Sequence, residues 1–139
     1  MITCFRTEPP TFIRFQVVLK HMSETIVKHI DDLPFQPVPQ AEATYVKWVF
    51  SPKDEVPNFS MRIFRIEAGG KIPEHSHPWE HEILVLRGRG KIRIGDREFE
   101  VGEGNAIYIP PNEPHEYYAY EEILFLCMIP NEGVPPELR

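Results

Sequence analysis

The chain has 139 residues, enough for one domain that buries its own core without disulfide staples. Apolar residues make up 42% and charged residues 26%, ordinary for a soluble globular protein. The net charge of −6 excludes the usual nucleic-acid binder, which needs concentrated Lys and Arg.

Fifteen prolines favour many short strands and stiff turns over long helices, and high proline with few glycines fits a heat-adapted protein. Cys4 and Cys127 make no disulfide framework, so a reducing, cytoplasmic setting is expected. No apolar run approaches the length of a membrane span, and Arg6, Glu8 and Arg14 interrupt the N-terminus where a signal peptide would be apolar. Met22-Ser23-Glu24 reads as a natural start, which makes residues 1–21 an extension upstream of the domain.

In chain order, Thr11 to Leu19 is rich in β-branched and aromatic residues and reads as a strand, one that can pair with another subunit. A short helical turn is expected from Ser23 to Ile30 with Ser23 as its cap, followed by extended backbone enforced by Pro34, Pro37 and Pro39. From residue 44 the pattern is strand after strand. Thr44 to Phe50 alternates, and Ser60 to Ile66 alternates with Arg62, Phe64 and Ile66 on one face. Gly69-Gly70 reads as a turn. Glu82 to Arg87 is an apolar run closed by Gly88, and Gly95-Asp96 closes a hairpin between Lys91–Ile94 and Arg97–Val101. Asn105 to Ile109, a rigid Pro-rich corner over 110–114, His115 to Tyr120 and Ile123 to Ile129 complete the set. Short strands at roughly ten-residue spacing predict an all-β sandwich or barrel.

The chemistry-bearing stretch is His75-Ser76-His77-Pro78-Trp79-Glu80-His81-Glu82, with His115 downstream in the Pro-rich turn. Neutral imidazole is the commonest side-chain ligand of Zn, Fe, Cu and Ni, so three copies this close point to a metal site. On a strand, residues two apart face the same side, which lets His75 and His77 point together into an interior. Pro78 interrupts pairing, and the chain can then bend to bring His81 or Glu82 over the same spot. These neighbours face opposite ways on a regular strand, so one of the two is expected as a direct ligand.

These residues resemble the cupin family. Gly69 to Gly88 resembles its first motif: a Gly, five residues, His-x-His, a further ligand and a closing Gly. Gly104 to Ala119 resembles the second, with Pro110 and His115 in place but Asn112 where Gly is usual and Ala119 where Asn is frequent. The resemblance spans about residues 60 to 130. It implies a single-domain cupin jelly-roll β-barrel, expected over residues 44–139; residues 1–43 lie outside the resemblance and are expected as an N-terminal extension whose strand at Thr11–Leu19 can cross between subunits. The closest likeness within the family is to small manganese cupins of thermophiles, on the run at 75–82, Pro-Asn-Glu at 111–113 and Phe-Leu-Cys-Met-Ile-Pro at 125–130. Carried over residue by residue, it implies His75, His77, His81 and His115 as metal ligands. Glu82 then has a supporting role, or replaces His81 in the commoner three-His-one-Glu pattern.

Four neutral imidazoles leave the 2+ charge of an ion uncompensated and, in an octahedral ion, two positions open for substrate or dioxygen. One divalent transition metal per chain is expected, Mn before Fe, with Ni, Cu, Co and Zn competing. Arg62, Phe64, Ile72, Phe125, Cys127 and Ile129 are the expected pocket walls, and Trp79, Tyr117 and Tyr118 flank the ligands. The expected function is a metal-dependent, dioxygenase-type oxidoreductase acting on a small apolar or aromatic molecule. The alternatives are a non-catalytic binder of a small carboxylate or sugar acid and, less favoured, a metal-dependent isomerase. The resemblance implies a homodimer; neither a nucleic acid nor a membrane is an expected partner.

Overall fold

A computed structural model describes residues 24–139. Nine strands carry the fold: β1 (Gln36–Pro37), β2 (Glu42–Phe50), β3 (Phe59–His75), β4 (His81–Arg87), β5 (Arg89–Ile94), β6 (Arg97–Gly102), β7 (Ala106–Ile109), β8 (His115–Ala119) and β9 (Ile123–Pro130). They form one curled sheet in the order β6-β5-β8-β3-β9-β4-β7, with β2 added on β3 and β1 on β2. All pairings are antiparallel. The architecture is the jelly-roll β fold expected from the sequence. Among the described residues helix is confined to short 3-10 turns, and no helix is long and apolar enough to cross a membrane.

The long strand β3 joins the two halves of the sheet. Residues 59–66 pair with β9, and residues 71–75 pair with β8. Gly69-Gly70, expected as a turn, is instead a bend inside this strand. Gly69 has φ +81°, which lets the strand redirect without ending. A Cβ on Gly70 would come within 2.8 Å of the Glu42 carbonyl and of Ile66.

Period-two burial follows the sequence closely. On β9, Ile123, Phe125, Cys127 and Ile129 are buried while the residues between them are half-buried. Phe64, Ile66, Ile83, Val85, Ile92 and Ile109 meet them in one core. β-branched side chains dominate because they are stiff and pack well on a pleated surface.

The segment ahead of β2 departs from expectation. Ser23 lies outside the described residues, as do Cys4, Met22 and the strand expected over Thr11–Leu19. Residues 24–29 form no helical turn; a 3-10 turn follows at Ile30–Asp32, with the His29 ring accepting from the Asp31 N–H at 3.2 Å. A local cap alone cannot hold a turn this short, so tertiary contacts set the backbone. Lys28 reaches the Val49 carbonyl and Asp54, and Lys47 donates to the Ile30 carbonyl at 2.7 Å. Lys47 and Arg65 both stack on Phe35. This segment covers the outer face of β2 and β3, so Ile63 and Val49 are buried although they point away from the barrel interior.

Candidate metal centre and cavity

Three strand ends converge at one mouth of the barrel. β3 ends on His75, β8 begins on His115, and the two residues are paired across the ladder. β4 begins on His81. His77 lies in the connection between β3 and β4, just past the strand rather than on it, because the chain leaves the ladder before Pro78. Its carbonyl accepts from the Asn112 backbone N–H at 2.8 Å, tying this connection to the Pro-Asn-Glu corner. Asn112 has φ +66°, a left-handed conformation that Asn tolerates nearly as well as Gly. That accounts for Asn in a place where the resembled motif usually has Gly.

The four imidazoles form one cluster. Ring centroids are 4.3 Å apart for His75–His115, 4.4 Å for His77–His81, and 5.1 Å for both His77–His115 and His81–His115. One ring nitrogen from each of His75, His77 and His115 lies within 4.8 Å of the other two. His81 joins through its Nε2, which is 2.7 Å from the Nε2 of His77.

The tautomers follow from the anchors. His75 Nδ1 sits 2.8 Å from the Pro73 carbonyl, His77 Nδ1 3.2 Å from the Trp79 carbonyl, and His115 Nδ1 2.8 Å from the Glu113 carbonyl. A carbonyl only accepts, so each Nδ1 carries the proton and donates, and a neutral ring then presents a bare lone pair at Nε2. Burial pushes the His77 imidazole below its usual pKa, the His81 imidazole down to about 2 and that of His115 to about 4. The positive charge of Arg62 acts in the same direction on all three. These rings are therefore neutral near pH 7, the form that binds metal.

Two observations fit a cation among them. The Nε2 of His115 is buried and has no hydrogen-bond partner. The Nε2 atoms of His77 and His81 stand 2.7 Å apart, a spacing that one shared proton or one shared cation bridges. Cis ligands of an ion bound at about 2.1 Å stand about 3 Å apart, close to this spacing. Glu82 is exposed on the outer face of β4, while its neighbour His81 is 3% exposed.

Beside the cluster opens a cavity of about 560 Å³. Arg62, Phe64, Ile72, Tyr117 and Phe125 line it along with His75, His77 and His81. Phe125 stacks between Phe64 and Tyr117, with centroids at 5.2 and 5.3 Å, giving an aromatic wall. Burial raises the Tyr117 phenol well above its ordinary pKa, so it stays protonated. Two expected wall residues lie elsewhere. Ile129 is core, and Cys127 sits behind His81 with Sγ 3.2 Å from its Nδ1. Both are buried on the inward face of β9 as expected, but neither lines the cavity. Of the three flanking aromatics, Trp79 and Tyr117 line the cavity, whereas Tyr118 faces outward against Tyr120.

Sequence reasoning missed the tail. Gly133, Val134 and Pro135 close one side of the cavity, and Trp79 is packed between Gly133 and His77, stacked on the latter at 4.3 Å. A Cβ on Gly133 would fall 2.8 Å from the indole. The signal available was Gly133 itself, the sole glycine beyond the last strand.

A family model described as a cupin domain matches residues 62–129. The polyketide cyclase RemF from Streptomyces resistomycificus is 33% identical and superposes with a TM-score of 0.75 over 81% of this chain and 83% of that one. The chain belongs to the cupin superfamily. Among curated relatives, an uncharacterized protein of Methanocaldococcus jannaschii is 40% identical over 37% of this chain and 42% of that one. The 1-methylthio-D-xylulose 5-phosphate methylsulfurylase of Rhodospirillum rubrum is 30% identical over 56% of this chain and 51% of that one. The matches thus span about half the length of these two relatives.

Proposed function

We propose that this cupin is a metal-dependent enzyme acting on a small, largely apolar or aromatic molecule held between a four-histidine ion and the aromatic wall. The observation that carries the reading is the cluster of His75, His77 and His115, one ring nitrogen of each within 4.8 Å of the others and each Nδ1 committed to a backbone carbonyl, with His81 Nε2 2.7 Å from that of His77. His75, His77, His81 and His115 would hold the ion, with Mn favoured, then Fe, and Ni, Cu, Co and Zn as competitors. When bound, it supplies a Lewis-acidic 2+ charge with open positions for an oxygen ligand. Phe64, Phe125 and Tyr117 orient a flat substrate, and the 133–135 segment limits access of water.

The reaction type favoured is redox-neutral activation of an oxygen-bearing substrate. RemF, which covers most of this chain, is named a polyketide cyclase. Dioxygenase-type oxidation is the second reading, supported by the neutral donor set and the apolar, aromatic cavity. An isomerase is disfavoured because it needs a base beyond the ligands; among the described residues the remaining imidazole is His29, exposed at a surface turn.

Metal-reconstituted protein incubated with diketone, alkenyl and aromatic substrates, with oxygen uptake and product mass followed together, separates these. Product of unchanged oxidation level without oxygen uptake supports the first reading, and stoichiometric uptake supports the second. Ligand binding without turnover would leave a binding protein.

A further inference from the structure

Arg62 lies on the inward face of β3, between buried Ser60 and Phe64, and lines the cavity beside the imidazoles. Its Nε is buried and without a hydrogen-bond partner, and one terminal nitrogen has only the Cys127 sulfur at 3.5 Å. The guanidinium is held in place from two sides, over Trp48 at 5.4 Å and over Phe64 at 4.9 Å. Among the described residues no carboxylate forms an ion pair with it. The two acidic side chains at the cavity are otherwise placed: Glu74 is bound to Arg93, and Glu132 is exposed at the rim.

A half-buried guanidinium without a counter-anion is costly, and a second cation beside it raises the cost. Unlike Arg65, whose Nε is also buried and unpartnered but which faces away from the cavity, Arg62 lies where an entering anion would satisfy it. Its planar fork matches the two oxygens of a carboxylate, and its stacked position fixes the fork before the ligand enters. The neighbouring wall is the stacked set Phe64–Phe125–Tyr117, which suits a flat, unsaturated frame.

We propose that Arg62 is the anion anchor of this cavity and that it selects small carboxylates carried on a flat, unsaturated frame. The inference deepens the metal-enzyme reading by naming its ligand class, and rests on that reading only for the ion alongside. Every contact that argues for the anchor belongs to the protein alone.

Calorimetric titration of benzoate and of its neutral isostere benzamide tests this on the wild type, Arg62→Gln and Arg62→Lys, each metal-free and Mn-incubated, with metal content measured. Melting curves select variants that keep the fold. Benzoate is expected to bind the wild type about tenfold or more tighter than benzamide, and Arg62→Gln to lose that preference with its metal content unchanged. Arg62→Lys, which keeps the charge but not the fork, falls between them, and it carries the test should the Gln variant not fold. A folded Arg62→Gln that retains the preference overturns the proposal, as does a wild type with no preference in either form. Wild type that takes up no metal but prefers benzoate in an Arg62-dependent way overturns the four-histidine reading and upholds the anchor.

Discussion

The Nε2 atoms of His77 and His81 face each other at 2.7 Å, while the far nitrogen of each ring is engaged by the Trp79 carbonyl and the Cys127 sulfur. In the metal-free protein a proton on His81 Nε2 can bridge to the His77 lone pair; a cation that takes both lone pairs shifts this proton to Nδ1, against Cys127. Such a cation binds the folded chain and not the unfolded one. Metal binding should therefore stabilise the fold as well as equip it for chemistry. A free metal concentration a hundredfold above Kd contributes about 2.7 kcal/mol. Melting temperature should rise with added Mn²⁺ in the wild type and not in His115→Ala; scanning calorimetry with and without chelator checks this.

Cys127 gives His81 a different support from that of the other three rings. Sulfur takes the place of a backbone carbonyl, and Cys127 and His81 are 1% and 3% exposed. Removing the acceptor in Cys127→Ala leaves a buried N–H without a partner when Nε2 binds the ion, and support of this kind is worth about 10- to 100-fold in metal affinity. Cys127→Ser restores an acceptor and should recover most of the loss. Competition against a fluorescent chelator measures both variants.

The buried imidazoles set an acid limit. His77, His81 and His115 have folded pKa values below the unfolded value, chiefly through burial. The unfolded chain therefore binds more protons as pH falls below about 6.5, and stability of the metal-free protein is full above that pH and lost below it. Each such ring costs about 1.4 kcal/mol per pH unit until its folded pKa is reached. The melting temperature of chelated protein should fall steeply from pH 6.5 to 5, and a His81→Phe variant should fall less steeply.

Gly88 connects β4 to β5 at φ +83°, and a Cβ there would lie 2.0 Å from the Glu122 carbonyl. Backbone strain and overpacking act together at this position, so Gly88→Ala should destabilise by about 3 kcal/mol, read as a lower urea midpoint at unchanged slope.

The strands were legible because period-two alternation, Gly-Asp and Pro-rich corners and β-branched runs are local signals, as on β9, where Phe125 and Cys127 alternate inward. The turn misread at Gly69-Gly70 was not, since a glycine pair marks a bend and a hairpin alike, and pairing with β2 and β8 decides. The histidine cluster was visible in spacing alone, and strand alternation separates buried His81 from exposed Glu82 once β4 is placed. Its anchoring was not, because the acceptors at Pro73, Trp79 and Glu113 are backbone groups with no sequence signature. The placement of Cys127 behind His81 depends on the β4–β9 register, and the 133–135 wall on tertiary packing against Trp79.

The four-histidine site stands or falls on metal content per chain, measured by elemental analysis with electron paramagnetic resonance on tag-free protein. The wild type and Glu82→Ala should each carry about one Mn or Fe per chain, and His81→Ala should lose the ion. Absence of metal after anaerobic incubation with Mn or Fe, or a site that survives His81→Ala but not Glu82→Ala, would rule the four-histidine site out.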